Sequence, residues 1–213
     1  MRQRKIRNEE EKLAALAGHM TREPMSIRGS WRQYFGNDEP IYIEIGCGKG
    51  QFALTMAALH PENNYIAVEG QGSVILRALE KAKKSGLSNI VFMNEFIRDI
   101  EEYFDESELS GVYLNFSDPW PKDRHAKRRL THADYLDGYK RILKPESAIE
   151  FKTDNDGLFA FTLEEFIACG LEIIESTSDL HGSALPARLA TTEYEDKFVK
   201  QGKHINYCKA KVL

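Results

Sequence analysis

The sequence has few cysteines, no long apolar run and no hydrophobic leader. Its three cysteines (Cys47, Cys169 and Cys208) are far apart, odd in number and never arranged as CxxC, so neither a zinc site nor a disulfide framework is indicated. No window approaches the ~18 uninterrupted apolar residues of a membrane span. Polar residues 8–11 follow the basic N-terminus, where a secretory signal would be apolar. We therefore expect a cytoplasmic protein with no membrane partner.

Acidic residues outnumber basic ones, and the net charge of −4 at first argues against a nucleic-acid partner. The positive charge is concentrated in two short segments, however. Residues 1–7 hold four basic residues and no acid, and residues 122–129 hold five with one acid. The remainder keeps 20 of the 29 basic residues against 32 of the 33 acids, a balance of −12. A phosphate backbone responds to local potential, although a basic cluster alone more often marks a solvated face.

Short apolar runs alternate with segments of helical periodicity, which indicates crossover connections between parallel strands. Seven strands are predicted, at residues 41–45, 65–69, 90–93, 112–116, 148–152, 171–174 and 205–212. Helices are predicted at residues 51–59, 73–85, 132–143 and 158–168, with a short helix or ordered arm at 9–17. The pattern predicts an α/β fold, namely a Rossmann-like, doubly wound, mostly parallel seven-stranded sheet with helices on both faces. We expect residues 1–37 to form a basic N-terminal extension without strands, and residues 38–213 to form one domain.

The loop after the first of these strands is rich in glycine, and parallel sheets bind ligands at the carboxyl ends of their strands. Four candidate contacts lie here: Glu44, Gly46, Gly48 and Gly50. Glycine lets the backbone turn tightly and approach a ligand closely. A dinucleotide fingerprint would place its third glycine where this chain has Gln51, which disfavours a nicotinamide dehydrogenase. Glu69, closing the second strand, is placed to accept hydrogen bonds from a ribose diol.

These features resemble the Rossmann-like, class I methyltransferases that use S-adenosyl-L-methionine. The resemblance implies that the glycine loop wraps the amino-acid part of this cofactor and that Glu69 holds its ribose hydroxyls. Glu44 would face the ammonium or sulfonium charge, and the alternative is an exposed acid at a strand end. We interpret Cys47 as a small residue filling a tight loop, because no neighbouring histidine would make it a nucleophile.

A second cluster of functional residue types follows the fourth strand, where residues 115–121 read Asn-Phe-Ser-Asp-Pro-Trp-Pro. The two prolines stiffen the turn and fix the directions of Asp118 and Trp120. We expect Asp118 to be a buried acid beside an aromatic plate, an arrangement suited to a flat base. The basic run at 122–129 begins directly after this turn, so we expect it to bind phosphates at the mouth of the site.

Residues 115–130 resemble the signature of the bacterial, single-subunit tRNA (guanine-N7-)-methyltransferase family. Further matching blocks lie at residues 151–155, 179–181 and 192–198. The resemblance implies methylation of a guanine in the tRNA variable loop, with Asp118 as the active-site residue in contact with the cofactor. Contacts to the substrate guanosine are implied for Lys122, Asp154, Thr192, Glu193, Tyr194 and Glu195. Contacts to the tRNA are implied for Arg124, His125, Ala126, Lys127, Arg128 and Arg129.

Several positions keep alternative interpretations. Without the resemblance, residues 193–195 are interpreted as the start of a C-terminal helix with solvated acids. The family usually has an acid about two residues past the third strand, where it meets the adenine amino group, but this chain has Phe96 with Glu95 beside it. Either adenine packs against Phe96 and is held by backbone groups, or Glu95 takes over. His125 is interpreted as an RNA contact or a spacer in preference to a base, and His181 as a structural hydrogen-bonding group or a substrate-loop residue.

The reaction implied by the resemblance requires no proton transfer at the target atom. Guanine N7 carries an in-plane lone pair and no proton, so its methylation needs no general base. We find no Ser-His-Asp, Cys-His or metal-binding constellation in the sequence. The purine gains positive charge, which a fixed carboxylate, assigned to Asp118, would stabilise.

Two other functions are compatible with the sequence. An exocyclic-amine base methyltransferase carries a similar turn, but with proline where this chain has Asp118. A non-catalytic RNA-binding subunit with the same fold would have no use for an intact glycine loop and Glu69. The sequence leaves open whether the chain is a monomer or a homodimer.

Overall fold

A computed structural model describes residues 8–213, and its centre is a single eight-stranded sheet. The strands are β1 (Met20–Thr21), β2 (Ile41–Ile45), β3 (Asn64–Val68), β4 (Ile90–Met93), β5 (Leu109–Asn115), β6 (Leu143–Thr153), β7 (Glu172–Thr177) and β8 (Asn206–Lys211). Their order is β1-β4-β3-β2-β5-β6-β8-β7. The pairs from β1 to β6 are parallel, and β8 runs antiparallel to both β6 and β7. The predicted doubly wound α/β fold is confirmed.

Helices cover both faces of this sheet. They are α1 (Glu9–Ala15), α2 (Trp31–Phe35), α3 (Gln51–Leu59), α4 (Gly72–Ser85), α5 (Ala133–Ile142), α6 (Asp156–Ala168) and α7 (Glu193–Val199). Alternate residues of one strand point to opposite faces. Tyr65 and Ala67 of β3 accordingly join a core cluster with α3 and α4, whereas Ile66 and Val68 join a second cluster with α5 and α6. Each face therefore has its own apolar core.

The sheet has one strand more than the sequence predicted. Strand β1 pairs Met20 with Phe92 and Thr21 with Met93 at the edge of β4. It lies in the segment expected to contain no strand, because two residues are too few to show an alternating pattern. The following part of this segment is anchored by Trp31, which is fully buried, donates from Nε1 to the Tyr103 carbonyl (3.0 Å) and stacks on Phe104. The described part of the predicted extension thus packs on the sheet, and residues 1–7 lie outside the described residues.

The strand order brings the candidate loops together. Strands β4, β3, β2, β5 and β6 are neighbours and parallel, so the loops that follow them lie along one edge of the sheet. The order reverses between β2 and β5, and such a switch point is where open α/β sheets bind ligands. The glycine loop follows β2, directly at this point.

Candidate functional site

The glycine loop turns on three residues with positive φ: 82° at Gly46, 58° at Gly48 and 75° at Gly50. The amides of Gly46 and Cys47 both donate to the Val68 carbonyl at 2.8 Å, which ties the loop to the end of β3. A Cβ added at Gly46 or Gly48 would meet no protein atom within 4 Å, so these positions border open space. Cys47 is buried, in agreement with its interpretation as a small filling residue.

The Glu69 carboxylate lies beside the open space at the glycine loop. Its Oε2 accepts from the Gly48 amide (3.2 Å), and its Oε1 accepts from the Gln71 amide (2.8 Å). Burial raises the pKa of the Glu69 carboxyl, and the neighbouring carboxylate of Asp118 contributes in the same direction. The structure therefore brings Glu69 into contact with the glycine loop, with Asp118 close enough to influence the pKa of Glu69.

Glu44 lies at the end of β2 with its side chain buried. Its Oε1 accepts from Asn115 Nδ2 (2.8 Å), and its Oε2 is buried without a hydrogen-bond partner among the described residues. Burial raises the pKa of this carboxyl to about 7, and the Asn115 hydrogen bond opposes the shift. Of the two interpretations, an exposed strand-end acid is wrong. An unpaired buried carboxylate oxygen needs a donor or a cation.

These groups fit the cofactor that the resemblance implies. S-adenosyl-L-methionine carries an ammonium and a sulfonium, which suit the unpaired oxygen of Glu44, and a ribose diol, which suits Glu69. The two glycines without side-chain neighbours leave room for its amino-acid part. The fit rests on the orphaned oxygen and on the open glycine backbone.

Phe96 and Glu95 follow β4 and point to different surroundings. The Phe96 ring is 70% exposed and covers Gly70, where an added Cβ would lie 2.3 Å from the ring. Glu95 lies near Tyr103 and contributes to raising the pKa of that phenol, whose main cause is burial. Phe96 therefore lies next to the Glu69 loop, whereas the Glu95 carboxylate lies beside Tyr103.

The turn after β5 has strained backbone and an exposed acid. Phe116 and Trp120 have positive φ of 53° and 41°, values that are uncommon for bulky residues and collect at functional sites. Our expectation that Asp118 is buried is wrong, because the left-handed residue Phe116 turns the chain away from the sheet and leaves the Asp118 side chain exposed. The carboxylate remains close enough to Glu69 to affect its pKa.

The basic run forms a 3-10 helix (Asp123–Arg128), in which Arg124 and Lys127 are exposed. Arg129, for which the resemblance implies an RNA contact, donates to the carbonyls of Pro119 and Trp120 (both 3.1 Å) and lies over the Phe161 ring. It braces the strained turn.

Trp120 is the centre of this basic surface. The Arg128 guanidinium lies 4.8 Å from its ring centroid, and the His125 ring meets it edge-on at 5.8 Å. His125 is therefore a packing partner of Trp120 in this structure. Ala126 is partly buried between these residues in the chain, and Lys122, just before the helix, is exposed.

The expected guanosine contacts at 192–195 begin helix α7. Thr192 Oγ1 accepts from the Glu195 amide (2.9 Å) as the N-cap, and Glu193 pairs with Lys81 of α4. Tyr194 is exposed, and its ring contacts Phe116 of the strained turn at 5.6 Å. Asp154, on the neighbouring loop after β6, pairs with Lys203 (2.9 Å).

Glu195 differs from its neighbours because it is completely buried. Its Oε1 lies 2.8 Å from His181 Nε2, and its Oε2 lies 3.4 Å from the Nζ of Lys152. His181 thus makes a structural hydrogen bond here. Lys152 was not among the predicted site residues, and its sequence signals were its place near the end of a predicted strand and inside the matching block at residues 151–155.

One cavity of the described residues lies apart from this site. It measures about 650 Å³ and lies over the strand face formed by Tyr42, Tyr113 and Glu150. It shares Lys152 and Ala187 with the region around Glu195, and neither Glu69 nor Asp118 lines it. Within residues 8–213, no helix is long and apolar enough to cross a membrane, and no group of three or more His, Cys, Asp or Glu side chains is arranged to hold a metal ion.

Solved structures share this architecture. A 16S rRNA methyltransferase, KamB, superposes with a TM-score of 0.64 at 11% identity, covering 86% of this chain and 93% of that one. A SAM-dependent methyltransferase from Aquifex aeolicus superposes with a TM-score of 0.57 at 12% identity, covering 94% and 98%. At such identities the likeness concerns the fold.

Sequence relatives are much closer. A family model described as "Putative methyltransferase" matches residues 38–208. The chain is 47% identical to a tRNA (guanine-N(7)-)-methyltransferase of Lactococcus lactis subsp. cremoris, covering 100% of this chain and 99% of the relative. It is 44% identical to the protein of the same description from Clostridioides difficile, covering 99% of both. The resemblance inferred from the motifs is confirmed, and the chain belongs to the tRNA (guanine-N(7)-)-methyltransferase family.

Proposed function

We propose that this protein transfers the methyl group of S-adenosyl-L-methionine to N7 of a guanine in the variable loop of tRNA. Identity of 44–47% along essentially the whole chain to relatives of this description carries the proposal. The site supports it, because a glycine loop, two acids and an exposed aspartate surround one space beside a basic surface.

The cofactor, when bound, supplies an electrophilic methyl group. Glu44 would bind its cationic part, and Glu69 would bind its ribose, with the glycine loop between them. Phe96 would pack against the adenine. These assignments follow from the orphaned Glu44 oxygen, from the position of Glu69 and from the exposed ring beside Gly70.

Asp118 is the residue that we assign to the reacting base. Guanine N7 has no proton to lose, so the protein needs no general base here. It needs a group that binds the guanine and a negative charge close to it. An exposed carboxylate next to Glu69 can accept hydrogen bonds from the base edge and stabilise its developing positive charge. Arg129 keeps the turn that presents Asp118 in place through its two carbonyl contacts.

The exposed basic side chains of Lys122, Arg124 and Lys127 would bind the phosphates of the tRNA. Tyr194, exposed beside Phe116, offers an aromatic surface for a base at the same mouth. We place the reaction in the cytoplasm, where its substrate is found and where the three free cysteines stay reduced.

The test uses unmodified tRNA and cofactor labelled in its methyl group, followed by reductive aniline cleavage of the product. N7-methylguanosine makes the RNA chain scissile, so we expect label in the tRNA and cleavage within the variable loop. Label without cleavage would indicate an exocyclic-amine methyltransferase. Absence of label with retained tRNA binding would indicate a non-catalytic RNA-binding subunit.

A further inference from the structure

Lys152 is a buried cation next to the site and has no role in the function proposed above. It lies near the end of β6, and its side chain is 2% exposed. Burial lowers the pKa of its ammonium, and the carboxylate of Glu195 opposes this shift most strongly. Keeping a lysine in such a place is costly unless its charge and its donors are all matched.

The three donors of the Lys152 ammonium have three acceptors. Its Nζ donates to the carbonyls of Ala187 and Ala190, both at 2.7 Å, and to Glu195 Oε2 at 3.4 Å. The Phe52 ring of α3 lies 5.3 Å away and closes the remaining side. An ammonium has three donors and no acceptor, so this arrangement satisfies it completely.

These acceptors belong to the chain segment that leads into α7. We call residues 187–196 the substrate segment, since it contains four of the six expected guanosine contacts. Two further side chains hold it to the cofactor side. Gln51, next to the glycine loop, donates to Asp196 Oδ2 at 2.8 Å and to Thr191 Oγ1 at 3.2 Å, and Lys81 of α4 pairs with Glu193. Lys152 is the only fully buried one of these three tethers.

We propose that Lys152 is a positioning residue that fixes the substrate segment against the cofactor site by binding Ala187, Ala190 and Glu195 at once. The inference rests on the proposed function, because the contact between this segment and the guanosine comes from the family resemblance. Glu195 acts from within the core. Its complete burial makes it a partner of Lys152 that holds the start of α7, where Thr192 and Tyr194 reach the surface.

The test compares Lys152→Met, Glu195→Gln and the double variant in the full chain. Lys152→Met removes the cation that faces Glu195 Oε2 in the core and leaves Glu195 with His181 alone of its two charged partners, so we expect a lower Tm and a KM for tRNA raised by roughly fivefold or more. The double variant removes both charges, so its Tm should recover while the tRNA KM stays high. Glu195→Gln alone keeps the two carbonyl contacts of Lys152, so it should raise that KM by a smaller factor than the double variant does.

In the two variants that lack Lys152, the dissociation constant of S-adenosyl-L-methionine, measured by calorimetry, should rise by a smaller factor than the tRNA KM, because the loss of Lys152 affects the cofactor only through the ionisation of Glu44. Lys140→Met is the matched control, since Lys140 also donates to a carbonyl, that of Cys169, but in a contact between α5 and the end of α6. It should leave both constants unchanged.

A wild-type tRNA KM in the double variant would overturn the inference, even if Lys152→Met fails to fold. Equal losses of cofactor and tRNA affinity would overturn it as well, because they would point to general disruption. Failure of the wild-type protein to methylate tRNA would instead defeat the proposed function, so the two failures are distinguishable.

Discussion

Asp118 is the single residue on which the proposed chemistry depends most. Its carboxylate is exposed on the turn after β5 and close enough to Glu69 to affect the pKa there. A preorganised charge that stabilises developing charge contributes about 2–4 kcal/mol to a transition state. Asp118→Ala should therefore lower kcat/KM for tRNA roughly a hundredfold or more, measured by transfer of labelled methyl groups.

Asp123→Ala is the matched control for this prediction. Asp123 is also an exposed acid, five residues away inside the basic run. Its removal makes the surface more positive and should leave turnover unchanged or tighten tRNA binding slightly. Near-normal turnover of Asp118→Ala would contradict the assignment of Asp118.

Glu44 predicts a pH dependence, because burial raises the pKa of its carboxyl from an ordinary 4.5 to about 7. The folded protein then favours the protonated form. The contribution of the Glu44 carboxyl to stability is fully present below pH 4.5 and is lost as the pH rises through about 7. The free energy of unfolding should fall across this window by on the order of 3 kcal/mol more in the wild type than in Glu44→Gln.

Cofactor binding should have the opposite pH dependence. The ammonium and sulfonium of S-adenosyl-L-methionine favour the ionised form of Glu44, so affinity should increase as the pH rises from about 6 to about 8. Urea unfolding and calorimetric titration at matched pH values measure the two effects. Parallel pH profiles for the wild type and Glu44→Gln in both experiments would contradict this account.

At the scale of elements, two glycines of the same loop should fail in different ways. A Cβ at Gly50 would lie 2.8 Å from Ala78 of α4 and 3.1 Å from the Phe92 ring, at a φ of +75°. Gly50→Ala should cost roughly 2–4 kcal/mol of stability from overpacking and backbone strain together. Gly48→Ala has a φ of +58° and open space, so it should cost only about 1–2 kcal/mol.

The cofactor distinguishes the two variants a second time. The open space beside Gly48 is the space that we assign to the cofactor. Gly48→Ala should therefore weaken cofactor binding by more than its small loss of stability alone would produce. Thermal unfolding with and without the cofactor measures both quantities. A larger drop in Tm for Gly48→Ala than for Gly50→Ala would contradict the packing argument.

The basic 3-10 helix should bind the tRNA, whereas Arg129, the residue after it, should have a structural role. Arg129 braces the carbonyls of Pro119 and Trp120, whereas Lys127 is exposed with a single long contact to Asp134 (3.5 Å). Lys127→Ala should weaken tRNA binding and reduce the slope of log affinity against log salt by about one, with kcat unchanged. Arg129→Ala should lower kcat, because the turn that carries Asp118 loses its brace. Equal salt slopes in these two variants would contradict the division.

For the whole molecule, periodicity was sufficient to predict the doubly wound sheet, because its strands and helices are long enough to show their patterns. It missed β1, which has two residues. It placed the glycine loop and Glu69 correctly around one opening, since parallel strands end at one edge. Periodicity could not predict that Asp118 is exposed, because that depends on the backbone of a single turn. It could not predict the pairing of Glu195 with Lys152 either, because these residues are 43 positions apart in sequence.

The segregated charge of the whole chain leads to a last prediction. The chain has a net charge of −4, yet residues 1–7 hold four basic residues without an acid. Helix α1 begins just after them, and Glu9 lies against Gly72, close to the end of β3 and the Glu69 loop.

Deleting residues 1–7 should weaken tRNA binding and flatten its salt dependence, with the slope falling by about one for each phosphate that these side chains neutralise. Filter binding between low and moderate salt measures this, and a matched variant with the four basic residues changed to glutamine separates charge from length. An unchanged slope in both proteins would mean that these charges do not reach the tRNA.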